Sequence, residues 1–412
     1  MPMFSIPLSG LDAASNALSV IANNLANLNT VGYKDQSASF QDLFYQTIGS
    51  NGAGPIQVGA GATVSSISGL FTNGALTQTG VGSDVAITGN GFFVIQDANG
   101  ALTFTRDGHF NVNAKGQLIS DSGDFVMGYP AVNGVIVPGQ TLAPIQLGQG
   151  QVSPPAVTST MQMTANLDAS ADVGTVFSTP LTVYDSLGVS HVLTFNYTKT
   201  GPNAWSYEVT IPAADVGGTG NPVQVSTGNL TFSDTGILTS PTGNVTGITI
   251  NNLASGAAPM NVTWNLYDVN NNPLMSQFAT PSSTSATYQD GYGAGNLLGF
   301  SVNSDGTIQG TFSNGKTAAV AQIALASFAN LQGLERIGGN QYAQTLTSGA
   351  ATIGAPGSGG RGTLTGGTLE QSNVDIAKEF SKMIITQRGF QANARVVTTF
   401  DEITQDTINL KR

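Results

Sequence analysis

Apolar residues recur at helical spacing at both ends of the chain and at strand spacing between them. Near the start, Leu8, Leu11, Ala14, Leu18, Ile21, Leu25 and Leu28 fall at steps of three and four. The pattern predicts one amphipathic helix over residues 8 to 29 with a narrow apolar stripe. Asn27, Asn29 and Gly32 follow as stop signals, because Asn and Gly tolerate the left-handed backbone at a helix end. Near the other terminus Ile376, Phe380, Met383, Gln387, Phe390, Ala394 and Val397 alternate steps of four and three, and Phe400, Ile403 and Leu410 extend them. A second helix is predicted over 373 to 410, opened by a capping box of Ser372 and Asp375. Lys411 and Arg412 sit where the helix dipole favours cations.

Neither stripe is wide enough to hold its helix alone. About six large side chains return roughly 10 to 18 kcal/mol on burial. Ordering about 38 residues costs roughly 40 kcal/mol or more in backbone entropy, only partly offset by backbone hydrogen bonds. Each stripe therefore needs a partner, on the chain's own core or between the two ends and between copies. Steps near 3.5 favour coiled-coil geometry.

The middle reads differently. Residues 35 to 72 start polar and become Gly-rich, the pattern of an extended connector or flexible arm. From Gly74, short apolar runs are split by Ala98-Asn99-Gly100 and Ala114-Lys115-Gly116, which are hairpin turn signals. The composition shifts over Gln149 to Pro155, a second block of strands follows, and a Ser/Thr run from Ser282 to Tyr292 closes it. Short strands with Asp305-Gly306 and Asn314-Gly315 turns then resume the first style. The expected class is mainly β with α-helical termini, in a nested order. Residues 1–30 and 370–412 form a paired, coiled-coil-like helical domain. Residues 31–72 and 362–369 form a connector arm, 73–147 and 288–361 a discontinuous inner β-domain, and 148–287 an inserted outer β-domain.

Composition narrows the chemistry. Only 9 % of the 412 residues are charged and the net charge is −11, against about 25 % charged residues in an average soluble domain. Between Gln117 and Gly315 the only basic residue is Lys199, so no phosphate-binding surface for nucleic acid is expected. The absence of Cys excludes thiol chemistry, Cys–metal sites and disulfides. No apolar stretch reaches the roughly 18 residues of a membrane helix. No Lys or Arg precedes Lys34, so a cleaved secretory signal with a basic start is not expected.

Candidate catalytic motifs are weak, and no catalytic residue, metal ligand or cofactor is expected. Gly357 to Gly362 matches a dinucleotide fingerprint but opens no helix. Asp268 to Asn272 begins like a calcium loop, but Pro273 and Ala279 stand where Gly and Glu are required. His109 and His191 lie in separate strand blocks. The aromatic residues Phe92, Phe93, Phe104 and Phe110 read as core. The residues expected to act are those that pack helices: Leu11, Leu18, Ile21, Leu25, Leu28, Ile376, Phe380, Met383, Phe390, Val397, Phe400 and Ile403.

The run Asn23-Asn24-Leu25-Ala26-Asn27-Leu28-Asn29-Thr30-Val31-Gly32-Tyr33-Lys34 resembles the N-terminal signature of the bacterial flagellar axial proteins. Leu369 to Asp375, Gln387-Arg388 and Phe390 to Arg395, including Asn393, resemble the C-terminal one. Tyr184-Asp185-Ser186-Leu187-Gly188, His191, Trp205 and Gly291 to Gly295 resemble the hook branch of that family. The resemblance implies a non-enzymatic subunit that self-assembles into a flexible tube passing torque from rod to filament. Paired terminal helices would line its inner wall. It also implies an extracellular place in the flagellum, reached by type III export without signal cleavage. The partners implied are further copies of the chain, the distal rod protein, the hook–filament junction protein, the hook cap and the export apparatus. No nucleic acid or membrane insertion is implied. A distal-rod or other axial protein is the alternative, weakened by the long insertion. A secreted β-rich adhesin or glycan-active enzyme is a remote third reading.

Overall fold

The computed structural model describes residues 5–51, 54–137, 139–147 and 152–410. Lys411 and Arg412, and the composition shift at 149–151, lie outside the described residues. The chain forms two compact units. One comprises Met1–Gly148, Gly299–Gly310 and Ala318–Arg412; the other comprises Gln149–Leu298 and Thr311–Thr317.

In the first unit the termini are helical. Helix α1 spans Ser5–Ala26 and helix α2 spans Ile376–Asn409, and the two pack together. The N-cap of α2 is Asp375, whose carboxylate accepts from the Lys378 amide. The expected capping box on Ser372 does not form, because Asp375 itself supplies the oxygen that the first turn needs.

The expected arm at 31–72 is a folded ribbon. Strand Gln36–Asp42 pairs antiparallel with Ala62–Gly69, and Gln46–Asn51 pairs with Gly54–Val58. Ser, Thr, Ile and Val side chains suit a strand pair, so the Gly content serves turns rather than disorder. Residues 363–370 are also strands, not arm. Thr363–Gly366 pairs with Val85–Thr88, and Thr368–Glu370 pairs with Leu76–Gln78. These two short ladders bring the C-terminal signature beside the N-terminal one.

The main sheet of this unit is built around Phe92–Gln96. It pairs with Leu102–Thr105, Phe125–Val132 and Leu325–Ser327. Phe92, Phe93, Val94 and Ile95 are all buried, so this strand is covered on both faces and reads as a continuous apolar run. One face packs with Phe104, Met127 and Tyr342; on the other, the Phe93 and Phe110 rings meet edge to face at 5.0 Å. The Ala98–Gly100 and Ala114–Gly116 turns join paired strands, with Gly100 and Gly116 at positive φ.

The second unit contains two five-stranded sheets. Val176–Tyr184, Ser190–Gly201, Ala204–Ile211, Val223–Phe232 and Leu238–Ser240 form an antiparallel meander. In the other sheet Thr160–Asp168 lies beside Met260–Asn265 and Met275–Phe278 in parallel and Ser283–Gln289 antiparallel. The Ser/Thr run that looked like a boundary is thus a paired strand, and the unit continues past residue 287 to Leu298. Small polar side chains fill it because it has no buried face of its own. Inward residues of both sheets share one core that includes Phe195, Tyr197, Trp205 and Trp264.

Candidate assembly site at the joined termini

The N-terminal signature closes over the C-terminal one through a buried polar network. After α1 the chain turns, with Thr30 donating to Asn27 Oδ1, and reaches Gly32 at a φ of +68°. A Cβ here would come within 2.6 Å of the Arg106 backbone. Gly32 is therefore required twice, by its left-handed backbone and by that approach. Its amide donates to the Glu370 carbonyl at 2.7 Å.

Lys34 then enters the interior. Its Nζ lies 2.6 Å from Glu370 Oε1, with both side chains fully buried, and also donates to Thr72 O. The second Glu370 oxygen lies 3.3 Å from the Arg106 guanidinium, which also donates to Gly89 O. The Gly74 amide completes the carboxylate's partners. Burial holds the Lys34 ammonium below its ordinary pKa, and Glu370 opposes that shift.

Asn24 is the second node. It is fully buried. Its Nδ2 donates to Asp35 Oδ1 at 2.6 Å, Gln36 O at 2.8 Å and Glu379 Oε2 at 3.1 Å. Its Oδ1 accepts from the Gln36 amide and the Tyr33 hydroxyl. Burial, then the neighbouring Glu379 carboxylate, pushes the Asp35 pKa up. Asn373 closes the ring: its Oδ1 accepts from the Asp35 amide, and its Nδ2 donates to Leu70 O and Thr72 O. One asparagine on α1 thus reads residues of the ribbon and of α2 at once.

Asn23 and Asn27 are less embedded. Asn23 donates to Tyr33 Oη at 3.1 Å, and Asn27 donates back to Asn23 O at 2.9 Å. The Arg336 guanidinium lies over the rings of Tyr33 and Tyr342, and it donates to Lys34 O. Asn29 is exposed, as are Gln387 and Arg388.

The helices meet on faces other than the expected stripes. In α1 the buried residues are Pro7, Ala13, Ala17, Val20, Ile21 and Asn24; of the expected set only Ile21 is buried, while Leu11, Leu18, Leu25 and Leu28 are half-buried. Small alanines allow close approach, which leucines at the contact line would prevent. Gly10 shows the same logic, since a Cβ there would meet Asn393 Nδ2 at 2.6 Å. In α2 only Glu379 is buried. Ile376, Phe380, Phe390 and Ile403 are exposed, and Met383, Val397 and Phe400 are half-buried. Ile384 and Ile385 add to that uncovered apolar surface.

No catalytic arrangement emerges from the histidines. His109 lies 2.9 Å from Asp121. His191 sits between Asp185 at 3.2 Å and Asp215 at 3.1 Å. Ser255 donates to Asp185 rather than to His191, so no Ser–His pair exists there. Asp268 caps its own turn by accepting from the Asn270 and Asn272 amides. Gly357–Gly362 is a turn held by Arg361 on Ala355 O. Among the described residues no group of His, Cys, Asp or Glu is placed to hold a metal ion.

Sequence reasoning did not single out Gly10, Asp35, Arg106, Arg336 or Glu379. The usable signal was scarcity: in so uncharged a chain, each charge flanking a signature has a reason to be there.

Comparison with known proteins gives the class, that of the flagellar rod and hook proteins. Four family profiles match along the chain: flagella basal body rod protein at 6–34, flagellar hook protein FlgE/F/G D1 domain at 86–163, flagellar basal body protein FlaE D2 domain at 156–292, and flagellar basal body rod FlgEFG protein C-terminal at 365–410. The flagellar hook protein of Salmonella typhimurium is 38 % identical over 99 % of this chain and 100 % of its own length. Those of Escherichia coli and Treponema pallidum are 37 % and 35 % identical over 99 % and 98 % of this chain, covering 100 % and 98 % of their own lengths. A crystal structure of a Helicobacter pylori flagellar hook protein aligns over 70 % of this chain and 98 % of its own, at 16 % identity and a TM-score of 0.47. The chain belongs to the flagellar hook protein family.

Proposed function

We propose that this protein is the structural subunit of a flagellar hook, a self-assembled flexible tube that passes torque from rod to filament. One observation carries the reading beyond family membership. Helix α2 presents Ile376, Phe380, Ile384, Ile385, Phe390, Val396 and Ile403 to solvent in a single chain, and a helix so uncovered needs neighbours. Identical subunits that meet head to tail without closing a ring build a helical filament. In that tube the stripe residues Leu11, Leu18, Leu25 and Leu28, with their α2 counterparts, are the surfaces that copies cover. The signature residues Asn24, Gly32, Tyr33 and Lys34 hold the two termini in register.

The same reading places the tube outside the cell, between a distal rod protein and a hook–filament junction protein. A cap and the flagellar export apparatus act during its growth. The fourfold division into helical, ribbon, inner β and inserted β parts belongs to it as well.

Purified full-length chain tests the proposal. Dilute protein is expected to be monomeric, with α1 and α2 cut first by protease, and to form tubes visible by electron microscopy at raised salt or crowding. A chain that forms no polymer under any such condition, and protects both helices from deuterium exchange as a monomer, overturns it.

A further inference from the structure

Apart from Glu379, which is buried, the charges of the α2 helix are divided along its length. Lys378, Lys382, Arg388 and Arg395 lie in its first two-thirds, and Asp401, Glu402 and Asp406 crowd its last third. Four of the chain's 13 basic residues thus lie in this one helix. Four of these residues also share a face. Arg388, Arg395, Glu402 and Asp406 follow steps of seven, seven and four, which at 3.6 residues per turn gives one line along the helix.

That line points away from α1. The residues that α2 turns toward α1 include Glu379, bonded to Asn24, Thr386, which shares a pocket with Ala17 and Ile21, and Asn393, against Gly10. These too are spaced by seven. Arg388 and Arg395 each stand two residues beyond a member of that set, about 200° further round the helix. All four residues of the charged line are exposed. Among the described residues none of them takes part in an ion pair. A merely solvated face would not be flanked by exposed Ile384, Ile385, Val396 and Ile403.

We propose that this line is an electrostatic register key between copies: the acidic end of α2 in one subunit lies along the basic stretch of α2 in its neighbour. The inference rests on the assembly reading above and names the surface that sets the stagger. Subunits repeated in a head-to-tail assembly keep their sense, so the two helices run parallel. An offset of about 14 residues, roughly 21 Å, brings Glu402 opposite Arg388 and leaves Asp406 within one turn of Arg395. The complementarity is directional. A helix with its charges mixed would accept many offsets, whereas this one penalises zero offset, where like faces like.

Charge exchange in the full-length chain tests it. Arg388→Glu with Arg395→Glu, and separately Glu402→Arg with Asp406→Arg, are each expected to raise the critical concentration for tube formation roughly tenfold. Mixing the two variants in equal amounts, or combining all four changes in one chain, restores assembly, because each acidic stretch again meets a basic one. Unchanged far-ultraviolet circular dichroism and thermal unfolding of the monomers separate this from misfolding. A second measurement uses the absence of native Cys. Arg388→Cys with Glu402→Cys in one chain places the thiols about 21 Å apart on their own helix, too far for a disulfide within it. Oxidised tubes are expected to yield a ladder of covalent oligomers. Wild-type protein that forms tubes, with exchange variants that assemble at the wild-type concentration and no ladder, overturns the key and leaves the assembly reading standing. Wild-type protein that forms no tubes removes the assembly reading itself, and the key with it.

Discussion

The terminal junction and the second unit solve the problem of burial in opposite ways. In the second unit, Trp264 packs against Phe195, Tyr197 and Tyr207 in a core that both sheets cover completely. At the junction the buried groups are Asn24, Lys34, Arg106, Glu370 and Glu379, and Gly10 of α1 lies against Asn393 of α2. Apolar packing returns free energy for area, while a buried ion pair returns little net stability once desolvation is counted. What the junction provides instead is discrimination. Any other pairing of the termini strands a charge in the interior. The second unit thus carries a closed core of its own, whereas α2 is positioned by its first turns and leaves Ile384 and Ile385 uncovered.

Removing the shared anion should produce the largest effect. Glu370→Ala leaves Lys34 and Arg106 buried together without a counter-charge. Breaking a buried pair typically costs about 3–5 kcal/mol, and two stranded cations put this variant near the upper end. The first unit should unfold at much lower temperature in scanning calorimetry, with the transition of the second unit unmoved. Trp264→Ala is the reciprocal experiment. It should cost about 3–4 kcal/mol through the cavity it opens, and should lower only the second transition. If either variant moves both transitions equally, the division of labour drawn between the two regions fails.

Asn24→Ala is expected to be milder in stability and sharper in consequence. It leaves the Asp35 and Glu379 carboxylates without their shared donor, at about 2–3 kcal/mol. Because Asn24 joins α1, the ribbon and α2, amide exchange should rise across residues 24–36 and at the start of α2. The sheet around Phe92–Gln96 should keep its protection.

How far these regions could be read in advance differs for the same physical reason. Helix and strand periodicity are local, so α1, α2, the hairpin turns at Gly100 and Gly116 and the nested order were legible. The junction was not, because Lys34 and Glu370 lie 336 positions apart and nothing local says that they meet. The apolar stripes misled about contact within one chain. Leucine at steps near 3.5 marks a face that can be buried, while the face α1 does bury is made of small residues such as Ala13 and Ala17, with Asn24. The ribbon was mistaken for a connector and the strand Ser283–Gln289 for a boundary because Ser, Thr and Gly pair their backbones as readily as larger residues do, without an apolar alternation to announce it.

Acidity separates the two regions by the smallest expected effect. In the first unit burial pushes the Asp35 pKa up from 3.8 and the Asp107 pKa up to about 6, and hydrogen bonding to Asp121 raises that of His109 from 6.5. A group with a raised folded-state pKa binds its proton more tightly when folded. Its contribution is complete below the unfolded value and is lost as pH rises through the folded one. In the second unit burial pushes Asp185 upward, but bonds from Ser255, Val189 and His191 outweigh it and leave its pKa below 3.8; Asp290 is lowered likewise, with Ser159 and Thr160 prevailing over burial. Those contributions are present above 3.8 and fail only in stronger acid. Lowering the pH from 7.5 to 4.5 should therefore raise the unfolding temperature of the first unit relative to the second by about a few degrees. Asp107→Asn should remove part of that rise, since an amide keeps the shape of the protonated carboxyl but has no proton to take up. A rise that is equal in both units, or unaffected by Asp107→Asn, would show that the polar interior of the first unit does not carry its proton linkage.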